Sequence, residues 1–147
     1  PILESIEESN HNQKLRALEL IRGTSKKRIG ILGLSFKKDT DDLRNSPILD
    51  VINSLISESF EVKIHDSDVD FNNIFGTNAS YLASKSISSE CIVDDFSRII
   101  RESEVLVITK ATQEYEQLVD LLDEKIVIDL VRLFENINDE NYIGICW

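Results

Sequence analysis

Residues 27–47 read KRIGILGLSFKKDTDDLRNSP, and this stretch decides the fold. It opens with an apolar run, Ile29-Gly30-Ile31-Leu32-Gly33-Leu34, that reads as a buried strand. A polar loop follows, holding Lys37, Lys38, Asp39, Asp41, Asp42 and Arg44. The stretch closes on Ser46-Pro47, where a helix is expected to start. A buried strand that delivers a charged loop onto a helix N-terminus forms the ligand-facing corner of an open α/β sheet. The loop gathers backbone N–H groups, the positive end of a helix dipole and three cations, a combination that suits a phosphate.

Working outward, a helix is expected over residues 3–22. Leu3, Ile6, Leu15, Leu18 and Ile21 recur at helical spacing, and Gly23 stands at the C-cap position. Its middle, Glu8–Gln13, is polar all round, which fits a solvated face or a segment that meets a partner. After the first strand, Arg28–Leu34, the helix Pro47–Ser59 has Ser46 as cap and Pro47 at N1. Ile48, Val51, Ile52, Leu55 and Ile56 give it one apolar face. Phe60–His65 is a second strand ending at Asp66, which reads as a turn aspartate in preference to a ribose ligand.

Residues 67–90 read as turns around a short helix near Ala79–Ser84. Cys91–Val93 is expected as a short strand. Asp94 or Asp95 caps a helix through Glu102, with Phe96, Ile99 and Ile100 facing inward. Glu104–Ile108 is a strand, Thr109–Thr112 a loop, and Gln113–Leu122 a helix with Tyr115, Leu118, Val119 and Leu122 on one face. Lys125–Leu130 is another strand, and Tyr142–Cys146 a last short strand or docked tail. The alternation predicts an α/β fold: a Rossmann-like, open, mostly parallel sheet with helices on both faces, preceded by an N-terminal helix. Ligands of such sheets lie at the carboxyl ends of the strands, here Phe36 to Arg44, Asp66, Thr109-Lys110 and Asp129 to Arg132.

Composition narrows the function. The 147 residues carry 16 basic and 27 acidic side chains, a net charge of −11, which argues against nucleic acid or an anionic membrane as partner. A local cationic loop on an acidic protein still suits a small anion. No apolar run approaches the ~20 residues of a membrane span, and no signal peptide is visible. Cys91 and Cys146 are far apart and form no metal-spaced pair, consistent with reduced thiols in the cytoplasm. The first residue is Pro1, not Met, so a fragment of a longer chain is expected.

The catalytic inventory is thin. Gly-x-Gly-x-x-Gly, the dinucleotide fingerprint, is absent: the first strand holds Gly30 and Gly33, but the turn from residue 35 to 46 holds no glycine. His11 and His65 stand beside no Ser or Cys in a nucleophile pattern, and His65 reads as structural. Asp39, Asp41 and Asp42 read as partners of Lys37, Lys38 and Arg44 in preference to a metal site. The residues alone describe an anion-binding domain with no catalytic or metal-ligating group of its own. Arg44, beside the helix start, has the planar fork suited to phosphate oxygens.

The run Gly33-Leu34-Ser35-Phe36-Lys37-Lys38-Asp39-Thr40-Asp41-Asp42-Leu43-Arg44-Asn45-Ser46-Pro47 resembles the GLSFKxxTDDLRxSP signature of the nucleotide-sugar 6-dehydrogenases, the UDP-glucose and GDP-mannose dehydrogenases. The signature is long and specific. Val62–Asp66 resembles the family's strand ending in an aspartate. The tail Gly144-Ile145-Cys146-Trp147 resembles the GDP-mannose branch. The likeness covers essentially the whole chain, weakly over residues 67–100.

The resemblance implies an enzyme of three parts: an NAD-binding Rossmann domain, a central helical segment with a catalytic cysteine, and a C-terminal domain that binds the sugar nucleotide. Residues 1–23 resemble the end of the central segment and residues 24–147 the C-terminal domain. The implied reaction is a two-step, NAD-dependent oxidation of a sugar C6 alcohol to a carboxylate, through a thiohemiacetal and a thioester. The Gly-rich Ser-Cys-Phe-Pro-Lys context of that cysteine is missing, so neither Cys91 nor Cys146 takes its role. By the same resemblance Phe36 and Lys37 contact the substrate, and Arg44 reaches NAD bound by the other domain. Arg132 lies near a substrate-contacting arginine, which follows the strand-end Asp by two residues in UDP-glucose enzymes. Arg132 follows Asp129 by three, which leans toward the GDP-mannose branch. A homodimer or higher oligomer is implied for the whole enzyme. The competing readings are a stand-alone nucleotide-binding or regulatory α/β module and a receiver-like domain. The first strand's end, Leu34-Ser35-Phe36, lacks the acidic pair a receiver needs.

Overall fold

The computed structural model describes residues 2–34, 46–71 and 79–145. Strands β1 (Arg28–Leu32), β2 (Glu61–His65), β3 (Val105–Ile108), β4 (Ile126–Asp129) and β5 (Tyr142–Gly144) form one sheet in the order β2-β1-β3-β4-β5. Each neighbouring pair runs parallel, with Ile31 level with Ile64 on one side and with Val107 on the other.

Alternation along the strands builds two cores. Ile29 and Ile31 of β1, Val62 and Ile64 of β2, and Val105 and Val107 of β3 point to one face. There they meet α1 (Ile2–Gly23) through Ala17, Leu18 and Ile21, and α2 (Pro47–Ser57) through Ile48, Leu49, Val51, Ile52 and Leu55. Leu32, Leu106, Ile108 and Val127 point to the other face. They pack on α4 (Phe96–Glu102) and on a 3-10 helix, Glu114–Leu121, through Ile99, Tyr115 and Leu118. A buried side chain of this size contributes roughly 1.5–3 kcal/mol, so the central strands carry much of the stability. Gly30 lies on the second face, where a Cβ would stand 2.5 Å from the Ser103 hydroxyl. A short helix, α3 (Ala79–Ser84), covers the first face through Leu82.

Several local expectations need correction. Ser46 occupies the N-cap of α2 but makes no capping bond; its hydroxyl donates to Leu34 O, 2.9 Å away, tying the helix start to the end of β1. Gly23 is the last residue of α1, and the left-handed residue beyond it is Ser25, with φ 60°. Thr24 turns the chain there by donating from its hydroxyl to Ile21 O. Leu3 and Ile6 do not face the core: they are 76% and 51% exposed, because the first half of α1 extends past the sheet. Cys91–Val93 is no strand. Ser89–Cys91 closes a 3-10 turn, leaving Ile92 a single bridge to Ile64. The expected helix Gln113–Leu122 is a 3-10 helix over Glu114–Leu121, whose core contacts Tyr115, Leu118 and Leu121 recur every third residue, the 3-10 repeat. Asp95, not Asp94, caps α4, accepting from Ser97 N at 2.9 Å.

Candidate functional site

The chain winds outward from β1 to β2 and then returns to place β3 on the other side of β1. That reversal puts a switch point between the carboxyl ends of β1 and β3, where open α/β sheets hold their ligands. The two ends are tightly stitched. Gly33 N donates to His65 O at 2.8 Å and Thr109 N to Leu32 O at 3.0 Å. The Thr109 hydroxyl donates to Leu32 O and also sits close to Gly33 O. Gly33 has φ +114°, and a Cβ there would lie 2.5 Å from Lys110 Cβ and 2.6 Å from Thr109 Oγ1. The backbone therefore runs directly against β3, and only glycine permits it.

Asp66, at the end of β2, is buried. Its Oδ2 accepts from Leu34 N at 2.8 Å, and its Oδ1 accepts from Asp68 N at 3.0 Å, closing the expected Asx turn. Lys110, from the end of β3, reaches across β1 to place its Nζ 3.0 and 3.1 Å from the two Asp66 oxygens and 2.9 Å from Asp68 Oδ2. The strand-end acid that would hold a ribose in a dinucleotide fold is thus engaged by this domain's own lysine and backbone.

His65 stands beside this cluster as a structural residue. Its Nδ1 lies 3.2 Å from the Tyr115 hydroxyl, which donates to His65 O at 3.1 Å, and Phe96 and Tyr115 pack against its ring. Burial pushes its pKa down, against the opposing pull of Glu114, Asp66 and Asp94. Burial also drives the Tyr115 phenol far above its ordinary value, so it stays protonated.

On the far side, β4 ends in Asp129, fully buried. Beyond it Arg132 turns with φ +56°, at the rim of a cleft of about 470 Å³ shared with Phe134, Glu135, Asn136, Ile137 and Tyr142. None of the ion pairs between described side chains involves Arg132, in contrast to Lys110. An exposed guanidinium lining a polar cleft at the ligand-facing edge is equipped to meet an anion.

Of the residues the sequence nominated, Arg132 is described and lines this cleft. Phe36, Lys37, Lys38 and Arg44 lie outside the described residues, as do Asp39, Asp41, Asp42 and Cys146. The flanks of their loop are described: it leaves β1 at Leu34, whose N–H is held by Asp66, and rejoins at Ser46, bonded back to Leu34 O. Both ends of the loop are therefore anchored at the switch point, with the N-terminus of α2 adjoining. Sequence reasoning placed Lys110 and Asp66 on this edge but did not pair them. The available signal was a lysine two residues past a fully apolar strand, since a buried ammonium needs a carboxylate. Among the described residues no group of three His, Cys, Asp or Glu side chains is arranged to hold a metal.

Residues 30–136 match the UDP-glucose/GDP-mannose dehydrogenase family, UDP binding domain. The chain belongs to this family. The GDP-mannose 6-dehydrogenase of Pseudomonas aeruginosa is 35% identical over 149 residues, an alignment that takes in 100% of this chain and 34% of that protein. The GDP-mannose 6-dehydrogenase of Azotobacter vinelandii is 34% identical with the same coverage. A crystal structure of a ternary complex of the Pseudomonas aeruginosa GDP-mannose dehydrogenase superposes with a TM-score of 0.87, covering 100% of this chain and 34% of that one. A UDP-glucose dehydrogenase from Pyrobaculum islandicum shares the fold, with TM-score 0.70 at 23% identity over 98% of this chain and 32% of that one. The chain spans about a third of the length of the curated relatives it matches. The family's UDP binding domain is therefore an all-parallel Rossmann-like sheet here, with its switch point closed by Lys110 and Asp66.

Proposed function

We propose that this chain is the sugar-nucleotide-binding C-terminal domain, residues 24–147, of an NAD-dependent nucleotide-sugar 6-dehydrogenase, and that residues 1–23 end its central helical region. The observation that carries the reading is the match to GDP-mannose 6-dehydrogenases along the entire chain. In this reading the substrate is GDP-mannose in preference to UDP-glucose, and its C6 alcohol is oxidised twice to the carboxylate. The domain contributes binding and orientation. Lys37 and the N-terminus of α2 meet the diphosphate, where a cation adds to the helix dipole. Phe36 packs on the substrate, and Arg132 reaches it from the opposite side of the edge.

NAD supplies the oxidising equivalents when bound, and this domain does not fit it at its own switch point. The turn after β1 carries no fingerprint glycine, and Asp66 is occupied by Lys110 and Leu34 N. NAD then belongs to another domain of the enzyme, with Arg44 reaching toward it, and so does the catalytic cysteine. Such an enzyme works in the cytoplasm as a homodimer or higher oligomer. The exposed Ile2, Leu3 and Ile6 support a junction there for the first half of α1. Sedimentation of the full-length protein as a monomer at micromolar concentration would contradict that association.

Calorimetric titration with GDP and GDP-mannose tests the site. Lys37→Ala is expected to weaken binding roughly ten- to a hundredfold, the value of one charge-assisted contact, while Lys38→Ala binds like the parent. The reverse ranking assigns the site to Lys38. A full-length protein that binds neither ligand nor UDP favours the stand-alone regulatory module.

A further inference from the structure

Arg132 is held by a device built into the end of the sheet. Its backbone is left-handed, with φ +56°, a conformation that is disfavoured for a non-glycine residue and persists only where neighbours enforce it. The enforcing group is Asp129. Its Oδ1 accepts from Val131 N at 3.2 Å and its Oδ2 from Phe134 N at 3.1 Å, so one carboxylate brackets Arg132 from both sides. The Tyr142 hydroxyl donates to the same Oδ2 at 2.6 Å and also lies 3.1 Å from Phe134 O. Tyr142 belongs to β5, which is fastened to β4 by the ladder from Val127–Tyr142 to Asp129–Gly144 and by Ile145 N donating to Asp129 O at 2.9 Å. The Phe134 ring packs edge-on against Tyr142, 6.1 Å between centroids. The turn that presents Arg132 is thereby bolted to the last strand of the sheet.

We propose that Asp129 and Tyr142 are positioning residues that pre-organise Arg132 for the nucleotide diphosphate. The inference rests on the reading of Arg132 as a nucleotide contact. The physical reason is entropic: a flexible arginine on a free turn must be ordered when the ligand binds, whereas a bracketed turn has that ordering built in.

The test compares Tyr142→Phe, Asp129→Asn, Arg132→Ala and Tyr142→Phe/Arg132→Ala in the full chain. Affinity for GDP is read by calorimetry, and trypsin cleavage after Arg132 reports the turn without ligand. Tyr142→Phe and Asp129→Asn are each expected to speed that cleavage, and to weaken GDP binding about three- to tenfold, the cost of ordering one long side chain when the ligand binds. In the Arg132→Ala background Tyr142→Phe is expected to change affinity no further. An equal loss with and without Arg132 shows that Tyr142 acts on the ligand by another route and overturns the proposal. So does unchanged cleavage in both single variants. An Arg132→Ala chain that matches the parent toward GDP, while cleavage rises in Tyr142→Phe, removes Arg132 from the nucleotide site and leaves the bracket only a structural role.

Discussion

Lys110 and Asp66 form an ion pair shut away from solvent, their side chains 3% and 0% exposed, across the end of the interior strand β1. The pair joins the carboxyl ends of β2 and β3, the two neighbours of β1, and Asp68 adds a second carboxylate at 2.9 Å. It fills the corner where a related fold would place the ribose of a dinucleotide. The same corner anchors Leu34, from which the signature loop departs. The pair's first effect is therefore geometric: it holds the Asp66 carboxylate that fixes Leu34, the last described residue before the signature loop.

Replacing Lys110 by Met removes one partner and leaves Asp66 buried. Breaking a buried pair in this way costs roughly 3–5 kcal/mol. Urea unfolding of Lys110→Met is expected to show a loss in that range, with Lys38→Met unchanged. A loss below about 1 kcal/mol, the value of an exposed pair, contradicts the burial.

Gly33→Ala combines a left-handed φ with a Cβ placed against the side chains of Thr109 and Lys110. Strain and overpacking of this kind cost roughly 1–3 kcal/mol each. A drop in unfolding free energy of at least about 2 kcal/mol is expected on those grounds, readable in the same urea titration. Gly23→Ala, where a Cβ meets nothing within 4 Å, is the control and is expected to be neutral or slightly stabilising.

His65 makes stability depend on pH. Burial lowers its pKa in the folded chain below the ordinary 6.5, despite Glu114, Asp66 and Asp94. As the pH falls, the unfolded chain binds the proton first, so unfolding takes up a proton. The stability present above the unfolded value is therefore lost progressively as the pH drops through 6.5 toward the folded one. Chemical unfolding between about pH 7.5 and 5.5 is expected to show this decline in the parent. In His65→Phe, which keeps an aromatic ring against Phe96 and Tyr115, the slope is expected to flatten. Equal slopes in both proteins remove His65 as the cause.

The chain alone is expected to form no NADH when incubated with NAD and either GDP-mannose or UDP-glucose, since the proposed cysteine and NAD site belong to other parts of the enzyme. Absorbance at the nicotinamide band reads this directly, and any sustained turnover above a buffer blank would falsify the division of labour.

The order of strands and helices was legible in the sequence because it depends on local patterns. Apolar runs such as Ile29–Leu34 and Val105–Ile108 name buried parallel strands, and the spacing of Ile48, Val51, Ile52 and Leu55 names a one-faced helix. The Gly33–Pro47 signature carried the family, since a long motif of specific residues survives without coordinates. Arg132 and Asp66 could be placed on the ligand-facing edge because strand ends are set by where apolar runs stop. Only the tertiary structure decided which of these ends touch. Lys110 finds Asp66 across 44 residues because β2 and β3 flank β1, and Tyr142 finds Asp129 across 13 because β4 and β5 lie side by side in the sheet. It also decided that Ser46 bonds back to Leu34 O instead of capping its own helix, and that α1 leaves Leu3 and Ile6 in solvent. Periodicity states which residues share a face; what lies opposite that face is fixed by contacts between segments remote in the chain, and no local pattern encodes them.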